Sequence, residues 1–164
     1  METTHQKKIQ YLPLAISIII TLFIGFAASF FTRPEISGWF VTLKKPSFNP
    51  PNWVFAPVWT TLYILIGISA YLVWKRRDDS GIFKVTAAVY VIQLILNFSW
   101  SLVFFRMHEL LGALIVIKLL WLMILATIIY FGKFSKVASW LLVPYLLWVS
   151  FATVLNFSIY LLNR

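Results

Sequence analysis

Gln93, Asn97 and Trp100 recur at i, i+4 and i+7, one face of a helix, in a stretch that is otherwise apolar. Trp148, Ala152, Leu155 and Asn156 form a second such face that begins one turn after Pro144, and Trp59 and Tyr63 stand four apart in a third apolar stretch. Amides surrounded by hydrocarbon must find partners, because an unpaired polar group there costs several kcal/mol. Two readings fit. In one, Asn97 and Asn156 glue helices together, an effect worth about 0.6–2 kcal/mol in membrane systems. In the other they edge a pocket whose indole walls suit a large, flat aromatic ligand.

Other chemistries lack their parts. Glu2, Glu35, Asp78, Asp79 and Glu109 all lie at the ends of the chain or between apolar runs, and so do His5 and His108. A proton relay through buried carboxylates is therefore disfavoured, and no Ser has a His–Asp partner inside an apolar pocket. No metal site is expected, and the absence of cysteine excludes thiolate ligands and disulfides. No cofactor follows from any motif. His108, beside Arg106 and Glu109, reads as a solvated loop residue. Lys118 is the one basic side chain well inside an apolar run, and its stem can lie in lipid while the ammonium snorkels to the nearer boundary.

Composition names the scaffold that must hold these faces. A chain of 164 residues that is 61% hydrophobic and 12% charged, with mean hydropathy +0.87, cannot hide its apolar surface in one soluble core. It reads as an all-α membrane protein, a single domain over 1–164 with five spans at about 11–31, 53–74, 83–105, 110–131 and 138–162. About 20 residues at 1.5 Å rise cross a hydrocarbon core of roughly 30 Å, and each run is long enough. Gly25, Phe26 and Ala27 loosely resemble a signal-peptide cleavage site, but the apolar run around them exceeds the roughly 7–15 residues of such a signal, so it is read as a span. The net charge of +9 lies in short groups between runs rather than in a basic domain, so no nucleic acid partner is expected. Lys7, Lys8, Lys75, Arg76, Arg77, Lys84, Lys133 and Lys136 fall on the side of the N-terminus. They outnumber Arg33, Lys44, Lys45, Arg106 and Arg164 on the other side, which predicts a cytoplasmic N-terminus and an outward first loop. Gly25 and Ser29, at small-xxx-small spacing, suggest a homodimer seam.

That first loop, 32–52, is the one long connection. Pro46, Pro50 and Pro51, with Pro57 just beyond, remove backbone donors and fix φ, so the segment is stiff. Trp39, Phe48, Trp53, Phe55 and Trp59 would each gain roughly 1.5–3 kcal/mol by burial. They either anchor at the lipid headgroups or form a lid over a ligand, with Trp39–Leu43 making a short helical turn.

Several segments then carry a resemblance. Trp39-Phe40, the run from Lys45 to Trp53 (KPSFNPPNW), Ala56-Pro57-Val58-Trp59-Thr60-Thr61-Leu62-Tyr63, and Tyr71-Leu72-Val73-Trp74-Lys75 resemble the translocator protein family. Its members are also called tryptophan-rich sensory proteins or peripheral-type benzodiazepine receptors. Gln93, Leu94, Asn97, Trp100 and Phe104-Phe105 continue the likeness, as do Pro144-Tyr145-Leu146, Trp148 and the run from Phe151 to Asn156 (FATVLN). The resemblance implies a bundle of five transmembrane helices, often dimeric, with a pocket opening towards the first loop. It implies ligands such as protoporphyrin IX, synthetic isoquinoline carboxamides and benzodiazepines, and, in animal members, cholesterol. Family pocket positions fall on Ser29, Thr32, Phe55, Ala56, Val58, Trp59, Trp100, Trp148, Ala152 and Leu155, to which the residue patterns add Trp39, Tyr63 and Asn97. Trp59 and Trp148 match tryptophans tied to light-dependent porphyrin breakdown, the one enzymatic activity the resemblance suggests.

Departures from the family pattern narrow the expectation. Gly112 stands where animal members carry a pocket Trp, so the animal drug-affinity profile is not expected to carry over, and Phe157 replaces the Tyr of the cholesterol segment, so cholesterol is not expected. A bacterial membrane is expected rather than a mitochondrial one, since the chain shows neither a long leader nor an animal-type basic tail. Three roles stay open: a porphyrin-binding sensor or regulator, a porphyrin-degrading enzyme, and a tetrapyrrole or sterol transporter. The aromatic pocket and the lack of a general acid or base favour the first.

Overall fold

Residues 9–164 are described here by a computed structural model, so Glu2, His5, Lys7 and Lys8 lie outside the described residues. All regular structure among the described residues is helical: α1 (Tyr11–Ser37), α2 (Trp39–Thr42), α3 (Asn52–Trp74), α4 (Gly81–Ser101) followed by a π-helical turn (Leu102–Arg106), α5 (Leu110–Gly132), α6 (Lys136–Leu141) and α7 (Val143–Asn163). Helices α1, α3, α4 with its π turn, α5, and α6 with α7 give five passages long and apolar enough to cross a membrane. Ile16, Ile19, Phe23 and Phe30 on α1, and Ile115, Leu122 and Ile129 on α5, point outward and exposed. Such a belt is stable only with lipid as its solvent, and the chain is an integral membrane protein. Lys118 lies on the exposed side of α5.

Three helix ends depart from the sequence expectation, each for a local reason. Residues from Thr32 to Ser37 continue α1 instead of starting the loop. Pro34 removes one hydrogen bond there, but Ile36 packs against a cluster of Phe40, Phe104 and Phe105, and Glu35 is held by His108. The third span does not end as a regular helix. The Met107 N–H donates to the Leu102 carbonyl at 3.0 Å, five residues back, and this wider turn lets Phe104 and Phe105 both point inward and be buried. The fifth span breaks at Leu142, just ahead of Pro144, whose missing N–H costs nothing in a first turn. The break lets α6 dock on α3, where the Ser69 hydroxyl donates to the Ala138 carbonyl at 2.7 Å, while α7 packs along α5.

Helices α1 and α3 meet in a close seam. A Cβ added to Gly67 would lie 2.7 Å from the Ile18 Cα, and one added to Gly25 only 2.2 Å from the Tyr63 ring, so both glycines are needed for this approach. The Ser17 hydroxyl donates to the Gly67 carbonyl at 2.7 Å, and the Thr21 hydroxyl lies 2.8 Å from the Tyr63 carbonyl. Gly25 thus serves a close contact within the chain. Helix α5 supplies much of the interior, with Ala113, Leu114, Ile117, Leu120, Ile124 and Phe131 all buried.

Candidate functional site

Towards the loop end the bundle is hollow. A cavity of about 480 Å³ is walled by α1, α2, α3, α4, the π turn and α7, within the range of roughly 300–1,000 Å³ usual for ligand pockets. Ser29, Thr32, Phe55, Ala56, Trp59, Tyr63, Asn97, Trp100, Trp148, Ala152 and Leu155 all line it. Trp39 and Val58 do not. Trp39 stacks on the His108 imidazole, with centroids 4.1 Å apart and planes 14° from parallel, and its edge meets Phe104. Val58 faces an outer groove between α3 and α7, which it shares with Pro57, Leu147 and one side of Trp148.

The polar groups at the inner end of the cavity are connected to one another. The Tyr63 hydroxyl donates to Asn97 Oδ1 at 2.5 Å, Asn97 Nδ2 donates to the Tyr145 hydroxyl at 2.8 Å, and Tyr145 donates to Gln93 Oε1 at 3.2 Å. Trp100 Nε1 donates to Asn156 Oδ1 at 3.0 Å. The two readings of these amides therefore coincide: they bind helices to one another, and Asn97 and Asn156 also edge the cavity. Asn97 lies nine residues before the end of the π turn, or about 14 Å along the helix from it, so this polar floor sits well inside the membrane. An unpaired amide at that depth would be costly, and each of these has a partner.

Aromatic rings make the walls. Trp59 stacks on Tyr63 with centroids 5.6 Å apart and meets Tyr145 edge-on at 6.2 Å. Trp100 stacks on Phe104 at 5.3 Å, and Phe55 meets Trp148 edge-on at 5.9 Å. Rings braced in this way keep their orientation without a ligand.

The first loop contributes less than its tryptophans suggested. Its helical turn sends Phe40, not Trp39, into the cavity wall, while Trp53 is 75% exposed and Phe48 47% exposed. The loop is pinned at two points. Lys44 N–H donates to Asn163 Oδ1 at 2.9 Å, and Asn163 Nδ2 donates to the Lys44 carbonyl at 2.8 Å. His108 Nε2 lies 3.0 Å from Glu35 Oε2 beneath the Trp39 ring. His108 is an exposed loop residue, as expected, and is also part of a clasp; its left-handed backbone (φ 58°) is what turns the chain from the π turn into α5.

Sequence reasoning missed Arg33, Phe40, Phe104, Phe105 and Ile159 as lining residues. The phenylalanines were visible in the family motifs without a role, and Arg33 counted only as a topological charge. Gly112 does not line the cavity; a Cβ there would meet Val103 at 3.2 Å, so this departure from animal members lies outside the pocket wall.

Five membrane-crossing helices around a tryptophan-walled cavity define the class, a helical integral membrane protein with an internal pocket. Comparison with known proteins gives its kinship: the TspO/MBR family description matches residues 17–162, and the chain belongs to that family. It is 47% identical over 158 residues to the tryptophan-rich protein TspO of Chlorobaculum tepidum, covering 94% of this chain and 98% of the relative. It is 39% identical over 139 residues to the translocator protein of Homo sapiens, covering 82% and 80%, and 41% identical over 125 residues to the tryptophan-rich sensory protein of Cereibacter sphaeroides, covering 76% and 77%.

Proposed function

We propose that this protein binds porphyrins and related tetrapyrroles, protoporphyrin IX among them, in the cavity beneath the first loop, and that occupancy serves tetrapyrrole or stress sensing. The observation that carries the reading is the cavity wall. Braced indole and phenyl rings surround a space with a satisfied polar floor, which suits a flat aromatic body that needs stacking more than hydrogen bonds. Synthetic isoquinoline carboxamides and benzodiazepines fit the same description. The basic residues on the side of Lys75–Arg77 support a cytoplasmic N-terminus in a bacterial cell membrane, with the loop facing out.

A second reading is light-driven porphyrin breakdown, favoured by Trp59 and Trp148, whose readily oxidised rings both line the cavity. One experiment addresses both. Titration of the solubilised protein with protoporphyrin IX in the dark should give saturable quenching of tryptophan fluorescence; the absence of saturable binding would refute the binding reading. Under illumination at equal occupancy, Trp59→Phe and Trp148→Phe should keep binding and slow the loss of porphyrin absorbance. Unchanged loss in both variants would assign the bleaching to the porphyrin itself.

A further inference from the structure

Among the described residues that line the cavity, Arg33 is the only one with a charged side chain. It lies 22 residues after the start of α1, about 33 Å along the helix, and so stands at the membrane boundary on the loop side. No acidic group engages it among the described residues. Glu35, the nearest carboxylate in sequence, is two positions away, a spacing that does not share a helix face, and it is taken by His108. Most other donors on the wall are occupied: the Ser29 hydroxyl donates to the Phe26 carbonyl, Thr32 to Ala28, Tyr63 to Asn97, and Trp100 to Asn156, while Asn52 and Ser101, which carry no charge, make no side-chain hydrogen bond among the described residues. The cavity therefore pairs an apolar, ring-lined body inside the membrane with one unmatched guanidinium at its rim.

We infer that Arg33 is the specificity-determining residue of this cavity, selecting flat aromatic ligands that carry a carboxylate on one edge and seating them with that edge towards the loop. The inference rests on the binding reading above and adds an orientation and a charge preference to it. A guanidinium presents a planar fork of donors that matches a carboxylate, and at the boundary such a pair forms without either ion crossing hydrocarbon. Seated the other way round, the ligand would bring its carboxylate to the Tyr63–Asn97 floor, where no cation answers it and desolvation is unrecovered.

The test compares protoporphyrin IX, a dicarboxylic acid, with its dimethyl ester, which has the same ring and no charge. Full-length protein in a phosphate-free maltoside detergent is titrated with each compound, as wild type, Arg33→Gln and Arg33→Lys. Because hydrogen bonds to a charged partner are among the stronger ones, Arg33→Gln should weaken the diacid about tenfold. The ester should change by less than about twofold, and Arg33→Lys, which keeps the charge without the fork, should lose about threefold for the diacid. Equal weakening of diacid and ester would overturn the inference by showing that Arg33 merely supports the cavity. No weakening of either would overturn it too, leaving the guanidinium to lipid phosphates. If wild type binds neither compound, the porphyrin reading itself fails and takes this inference with it; if wild type binds both and Arg33→Gln does not separate them, only the inference fails.

Discussion

The two ends of the α1–α3 pair are built oppositely. Around Gly67 the backbones touch, with Ser17 and Thr21 hydroxyls bridging to α3 carbonyls and no room for a single methyl group. Past Gly25 the same two helices part, and Ser29 and Thr32 face Phe55, Ala56 and Trp59 across an open space. Side chains that face a cavity forgo dispersion contacts with one another, which would be destabilising by itself. The seam shows what offsets it: close packing and satisfied polar groups at one end fix the helices so that the other end need not close. Stability and recognition are thereby assigned to different stretches of the same two helices.

This division can be tested from either side. The largest effect is expected at the hollow end. Trp59→Ala removes a wall ring whose contact is worth roughly 1.5–3 kcal/mol, so affinity for protoporphyrin IX should fall about tenfold to more than a hundredfold, measured by fluorescence titration. Its melting temperature should move less than that of a seam variant. Gly67→Ala tests the other end. The added Cβ meets the Ile18 backbone, which cannot rotate away, and should cost about 1–3 kcal/mol of stability, read as a lower melting temperature in detergent. If Gly67→Ala melts like wild type but binds poorly, the assignment of the two ends is reversed. The smallest effect belongs to Trp53→Ala. That side chain is 75% exposed at the start of α3, so stability should change by no more than about 0.5 kcal/mol and porphyrin affinity by less than about twofold. A clear loss of affinity would mean that the loop end folds further over its ligand than this structure shows.

Much of this was legible in the sequence, because the physics behind it is periodic. Apolar runs of membrane length give the five passages, and the i, i+4, i+7 spacing of Gln93, Asn97 and Trp100 puts three groups on one face that then meets α7. What escaped depended on distant partners. Nothing local distinguishes Thr32–Ser37 from a loop beginning, since its helical state is held by Phe40, Phe104 and His108 from elsewhere. Trp39 and Phe40 are adjacent and both aromatic, and only the α2 turn decides that Phe40 faces inward. Arg33 carries a topological signal and a site signal in one residue, and charge counting registers only the first. His108 is exposed as its loop position suggests, but its partners Trp39 and Glu35 come from 69 and 73 positions away and leave no local signal.

The π turn at Leu102–Arg106 is, in the language of descent, a one-residue insertion in a helix that would otherwise run on as α. Deleting one residue there would return the ladder to its regular spacing and swing everything after it by about 100° around the axis. Phe104 and Phe105 could then no longer both face inward, and His108 would leave Glu35 and Trp39. The inner wall of the cavity and the clasp on the first loop are thus inherited together, through a single position in the length of the chain. A relative one residue shorter between Trp100 and His108 must hold its first loop by other contacts.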